Sequence, residues 1–198
     1  KKKRLVYSDI ENKKGKRASD YIEEIDYLIA SGISLEVKAV SNPSFPLVES
    51  GIKNLLKLYL NDVGILTEIL YKNNISPIID DECSVNLGSV YECAVAMELA
   101  AHDNQLFYYD NKTKGEVDYL IDNYQTLTIT PIEVKSGKDY TVHSALTKLT
   151  TNPDYRLGEA FVLSNSAQVR KEGNITYLPI YYIMFFSGKG NDAPEILI

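Results

Sequence analysis

Apolar side chains recur at Tyr21, Ile22, Ile25, Leu28 and Ile29, the spacing of one helical stripe. Ser19 is a candidate N-cap before it and Gly32 a stop after it. "ISLEVKAV" then alternates between apolar and polar positions, as a strand does, and ends in the turn-rich "SNPSFP". "NLLKLYLND" is mostly apolar with a polar exit, which predicts a buried strand, followed by a short helix from Gly64 to Lys72. Asp62 reads as a turn or cap residue between the two. Helix, strand, loop and strand in that order suit a small winged-helix-like unit, or a set of elements packed on the next domain. The pattern breaks around "NNISPIIDDE", and the boundary is placed there: residues 1–80 against 81–198.

The second half opens with "LGSVYECAVAMELAAHD", a helix with Val90, Ala94, Met97 and Leu99 available for burial and Glu92 in its first turns. Strands "LFYYD", "EVDYLID" and "TLTITPIEVK" follow, the first two joined by the turn "NKTKG". Next come a helix from about Val142 to Thr150, strand "EAFVLS", and a closing segment "ITYLPIYYIMFF" that fits helix or strand. The order predicts an α/β fold whose sheet begins with hairpins. Pro131 cannot donate to a strand ladder, so a bulge or kink is expected there.

Composition narrows the class. A hydrophobic content of 44% and a charged content of 24% are those of a globular chain, and no apolar run reaches the ~18–20 residues of a membrane span. "KKKRLVYSD" has no hydrophobic signal region, so a cytoplasmic protein without a membrane is expected. Its abrupt start without an initiator Met suggests a fragment. Cys83 and Cys93 fit no zinc or redox spacing, and His102 and His143 stand on separate segments, so structural roles are expected for all four. Residues 1–17 hold eight of the 21 basic residues and two of the 27 acidic ones, leaving a net charge of −12 on the remainder. Such a body is a poor general nucleic-acid binder, because phosphate contacts draw on Lys and Arg. The segments "KKKR" and "KKGKR" read first as a solvated tail or linker and second as a local nucleic-acid contact.

The chemistry concentrates in "GEVDYLIDNYQTLTITPIEVKSGK". Glu133 and Lys135 are two apart on one strand and share a face, and a turn near Asp122 to Gln125 would bring Asp118 on the neighbouring strand within reach. Two carboxylates and an ammonium on one face suit a hard divalent cation, Mg²⁺ or Mn²⁺, with water and substrate phosphate completing its shell. A lysine beside that ion can orient or deprotonate the attacking water. A structural ion-pair cluster is the competing reading. The 15 tyrosines sit mostly beside apolar neighbours and read as amphipathic core and interface residues, not as base-stacking platforms.

These residues resemble the PD-(D/E)XK signature of restriction-endonuclease-like proteins: "EVD", then "EVK" with Glu133 fifteen positions after Asp118. Glu92 matches the helical acidic residue often found in that superfamily. More narrowly, "KLYLNDVGIL", "LGSVYECAVAMEL", "LFYYDNKTKGEVDYLID" and "IEVKSGK", with the later "YLPIYY", resemble the C-terminal domain of unknown function of bacterial and archaeal AAA-type ATPases. The resemblance covers most of the chain from about Tyr21. It implies a restriction-endonuclease-like mixed central sheet flanked by helices, with Asp118, Glu133 and Glu92 as metal ligands and Lys135 as the fourth catalytic residue. It also implies an upstream ATPase module as partner. No ATP site is expected here, since "SGKGND" lacks the spacing of a phosphate loop.

Two functions follow as expectations. One is Mg²⁺-dependent hydrolysis of nucleic-acid phosphodiesters by Asp118, Glu133, Lys135 and Glu92. The other is a non-catalytic regulatory or recognition module of the ATPase. The choice of DNA or RNA and the oligomeric state are left open.

Overall fold

The computed structural model describes residues 20–72, 76, 86–137 and 139–186, with the backbone alone at 53 and 54. Ser19, Cys83, the basic N-terminal segment and "SGKGND" lie outside the described residues.

The first helix, α1 (Ile22–Ala30), buries Ile25 and stops at Gly32, whose φ of +73° is the left-handed conformation that glycine adopts without a Cβ clash. It leads into β1 (Ser34–Val40), which pairs antiparallel with β2 (Ile52–Leu60) from Ser34↔Leu60 to Lys38↔Leu56. Helix α2 (Val63–Tyr71) follows, capped as the sequence suggests: Asp62 Oδ1 accepts from the N–H groups of Gly64 and Ile65 at 2.6 and 3.2 Å. These are two of the donors a helix start leaves without a partner. Asp62→Ala is therefore expected to cost about 0.5–2 kcal/mol of stability, read by chemical denaturation, without moving the sheet.

The remaining elements are α3 (Gly88–Ala101), β3 (Phe107–Asn111), β4 (Gly115–Asn123), β5 (Thr128–Lys135), α4 (Ser144–Thr150), β6 (Ala160–Ser164), β7 (Arg170–Glu172), β8 (Ile175–Pro179) and a 3₁₀ turn over Ile180–Phe185. The closing segment is thus strand first and helical turn second. All eight strands form one mixed sheet in the order β2-β1-β3-β4-β5-β6-β8-β7. The pairs β1–β3, β5–β6 and β6–β8 are parallel and the other four antiparallel.

Hydrophobic clusters cover both faces. On one, Val95, Ala96 and Leu99 of α3 pack with Val37, Tyr108, Tyr119, Ile132 and Val134. On the other, Leu146 and Leu149 of α4 pack with Leu120, Ile129, Val162 and Tyr177. The stripe buried by α3 includes Glu92, Cys93, Ala96 and Leu99, while Ala94 and Met97, expected inside, are only half-buried. That helix is apolar nearly all round, so its sequence periodicity does not mark the inward face.

Three expectations are refined by the sheet. β2 is an edge strand, paired with β1 alone, and its one lysine with a described side chain, Lys57, is fully buried. The sheet also runs unbroken between the two expected units, because β1 joins β3 in parallel from Lys38↔Phe107 to Val40↔Tyr109. Residues 77–85, where the boundary was placed, lie outside the described residues. At Pro131 the irregularity is real but sits on the neighbour. Ile129 faces Leu157 and Ile132 faces Phe161, so three steps along β5 match four along the segment opposite. Ile129 N–H reaches Arg156 on that side. The missing donor of Pro131, two residues on, falls where the ladder is already interrupted.

Candidate functional site

β4 carries the first acidic residue, and its backbone explains the placement. The pairing of β3 with β4 shifts between Phe107↔Leu120 and Tyr109↔Val117, so three steps along β4 match two along β3. The extra residue is a bulge next to Asp118, and a bulge re-aims side chains. Accordingly Val117 and Leu120 pack on one face of the sheet and Tyr119 on the other.

On the opposite side, the β4–β5 ladder runs from Asn123↔Thr128 to Tyr119↔Ile132 and ends there. The next β5 N–H directed at β4 belongs to Val134, and Asp118 Oδ2 accepts it at 2.9 Å. A side-chain carboxylate thus replaces a backbone carbonyl where the two strands separate. Gly115 begins β4 at φ +103°, and a Cβ there would stand 2.9 Å from Ala145 Cβ, so the turn into the strand requires glycine.

Glu133 lies between Ile132 and Val134, which face α3, so its side chain faces the other way, with Lys135 two residues on. The expected shared face is observed as an ion pair: Lys135 Nζ to Glu133 Oε1 at 2.7 Å. Glu133 is 7% exposed and Asp118 6%, whereas the Lys135 side chain is 27% exposed and reaches the surface. The second Glu133 oxygen, Oε2, is buried without a hydrogen-bond partner. Burial pushes the Glu133 carboxyl up to about 7, the Asp118 charge adds to the rise, and Lys135 and the backbone N–H of Asp118 offset part of it. An unpartnered buried carboxylate oxygen is costly in a folded protein.

Glu92 occupies a different position. It is 3% exposed on α3, on the Tyr119 side of the sheet, and its Oε2 accepts from Tyr59 Oη at 2.9 Å. Tyr119 Oη donates to the Glu92 carbonyl at 2.8 Å, and the two rings lie 6.0 Å apart. Burial, first, and then the Glu92 charge hold the Tyr59 hydroxyl far above its ordinary range, with Asp118 acting in the same sense. Tyr119 is raised too, chiefly by burial and then by Tyr59. Both phenols are permanent donors. The structure therefore pairs Glu133 with Lys135, sets the Asp118 carboxylate on the N–H of Val134 next to Glu133, and links Glu92 to the Asp118 strand through two tyrosines.

Among the described residues no three His, Cys, Asp or Glu side chains form a ready-made ligand set. A hard cation would rest on Asp118 and Glu133, a pair of oxygen donors with one buried oxygen unsatisfied, and this fits Mg²⁺ or Mn²⁺, which keep several water ligands. Of the other singled-out residues, His143 Nε2 lies 2.6 Å from Tyr177 Oη, and His102 Nδ1 2.8 Å from the Glu98 carbonyl. Cys93 Sγ donates to the Leu60 carbonyl, and burial raises its thiol to about 11, so it is an inert core residue.

Two of the tyrosines, read as a class as amphipathic core and interface residues, lie beside Glu92. Tyr119 is fully buried and Tyr59 half-buried, and both hydroxyls bond to Glu92, one to its side chain and one to its carbonyl. A signal existed: Tyr59 stands two residues after Lys57 in an otherwise apolar run, and Tyr119 directly follows Asp118.

Residues 87–183 match a family described as a domain of unknown function (DUF4143). That span holds Glu92, Asp118, Glu133 and Lys135 and excludes β1 and β2. No curated protein and no solved structure matches the chain. No described helix is long and apolar enough to cross a membrane.

Proposed function

We propose that this chain is the nuclease-like, restriction-endonuclease-like domain of an AAA-type ATPase, acting in the cytoplasm on nucleic acid. The observation that carries the reading is the buried Asp118–Glu133 pair with Lys135 at 2.7 Å and Glu133 Oε2 left without a partner. Asp118 and Glu133 would hold Mg²⁺ or Mn²⁺. When bound, such an ion supplies Lewis-acid stabilisation of charge on a phosphodiester and lowers the pKa of water. Lys135, at the rim, would orient an attacking water or stabilise charge on a phosphate oxygen. Val134 N–H fixes the Asp118 carboxylate, and Glu92, held by Tyr59, contributes negative charge from behind.

A second reading has its own support. Lys135 already satisfies one Glu133 oxygen, and no three-residue ligand set is present among the described residues. A regulatory or recognition module of the ATPase, using the winged-helix-like order α1, β1, β2, α2 and the basic N-terminal segment, needs no ion at all.

Lys135→Ala separates the two. Removing a positive charge and a competing partner beside Glu133 is expected to preserve or tighten Mn²⁺ binding. Cleavage of single- or double-stranded DNA or RNA by the chain joined to its ATPase module is expected to fall at least a hundredfold. Unchanged cleavage in that variant would remove Lys135 from the chemistry.

A further inference from the structure

Strand β2 lies outside the matched span and is separated from β5 by three strands, yet two of its side chains reach Glu92 and the strand that carries Asp118. Lys57 and Tyr59 are two apart and so project to one face. Tyr59 takes Glu92, as described above. Lys57 is fully buried, with Nζ 2.7 Å from Glu116 Oε1 and 4.4 Å above the Tyr108 ring. Glu116 is two residues before Asp118 in the same strand, and its side chain is 32% exposed. A fully buried ammonium is rare and is held by paired charge and ring contacts of this kind.

The backbone around Asp118 shows what this pair does. The ladder to β5 has ended at Tyr119, and the ladder to β3 slips between Val117 and Leu120. Asp118 therefore stands where β4 is least held by its neighbours. Its direction depends on what fixes the residues on either side. Tyr119 is fixed by its buried ring and its bond to the Glu92 carbonyl, and Val117 by its burial against the α4 face. Glu116 is fixed by Lys57.

We propose that Lys57 is a positioning residue for the carboxylate site: by gripping Glu116 from inside the sheet it holds the bulged end of β4 so that Asp118 meets Glu133 in a cation-binding arrangement. The inference rests on the reading of Asp118 and Glu133 as cation ligands. Lys57 touches neither the ion nor the substrate and acts through Glu116.

Position and charge make opposite demands, which gives a sharp test. Mn²⁺ affinity of the whole chain is measured by calorimetry, well below the unfolding temperature, for Lys57→Met, Glu116→Gln and the double variant. If Lys57 acts by position, each single variant binds about tenfold more weakly, the double variant is no worse than either, and Lys57→Arg restores most of the affinity. If only charge matters, Lys57→Met binds more tightly, Glu116→Gln more weakly, and the double variant matches wild type; that pattern overturns the proposal. A purely structural role lowers the melting temperature and leaves affinity unchanged in all three, which overturns it as well. Should Lys57→Met fail to fold, Glu116→Asp, which keeps the charge and shortens the reach to Lys57, takes its place: weaker binding supports positioning, and unchanged affinity refutes it. Wild type that binds no Mn²⁺ refutes the cation reading and this inference together, whereas binding by wild type with unaltered variants refutes the inference only.

Discussion

Glu133→Gln is expected to make the protein more stable at pH 8 while abolishing its affinity for Mn²⁺. The folded-state carboxyl is raised to about 7 from an ordinary value of 4.5, so the fold binds this proton more tightly than the unfolded chain does. Its contribution to stability is complete below about pH 4.5 and is lost as pH rises through about 7. Gln carries no charge at either end of that window. In metal-free buffer the variant should therefore exceed wild type above pH 7, by on the order of 1–3 kcal/mol. The advantage should shrink steadily on acidification and vanish below about pH 4.5. Lys135, with its side chain partly exposed, can turn to water when its partner is neutralised, so it takes back only part of the gain. Thermal unfolding of both proteins from pH 4 to 8 measures the difference directly. A gain in stability paired with loss of ion binding is what a residue retained for function produces.

Leu99→Ala is expected to cost about 2–5 kcal/mol, because the side chain is fully buried and the cavity it leaves is walled by a sheet that cannot collapse onto it. Leu99 shares one cluster with Val37 and Ala39 of β1 and with Ile132 and Val134 of β5. The loss should accordingly appear as one transition in which the probes for β1–β2 and for β4–β5 move together, since the two segments share a sheet and a core. Hydrogen exchange resolved by segment is the measurement. Residues 34–60 staying protected while 107–135 open would show two separate cooperative units.

The local signals in the sequence carried far because the elements are short and well punctuated. The helix after Tyr21, the hairpin around Asn123 and the Asp62 cap all appear where periodicity and turn chemistry put them, although Ile22 of the expected stripe is exposed. The parity of Glu133 and Lys135 survives as an ion pair, because period two is enforced by the pleat itself. What escaped was non-local. Nothing in "NLLKLYLND" states that its lysine will be buried against Glu116, 59 residues away, or that β1 will pair with β3 across the expected boundary. The bulge beside Asp118 has no glycine to announce it, and it exists because two flanking ladders fall out of step. Glu92 was legible as an acidic residue early in a helix. Its tyrosine partner on another strand was not, since a tyrosine in an apolar run looks the same whether its hydroxyl meets water or a carboxylate.

The central claim is that Asp118 and Glu133 form a cation site, and calorimetric titration with Mn²⁺ at pH 8 tests it most directly. Wild type is expected to bind Mn²⁺ with a measurable heat at millimolar concentrations and to melt at a higher temperature in its presence. Asp118→Ala and Glu133→Gln are expected to show neither effect. A flat titration of folded wild type at millimolar Mn²⁺, with Asp118→Ala altering stability alone, would contradict the claim and leave the cluster as a structural ion-pair network.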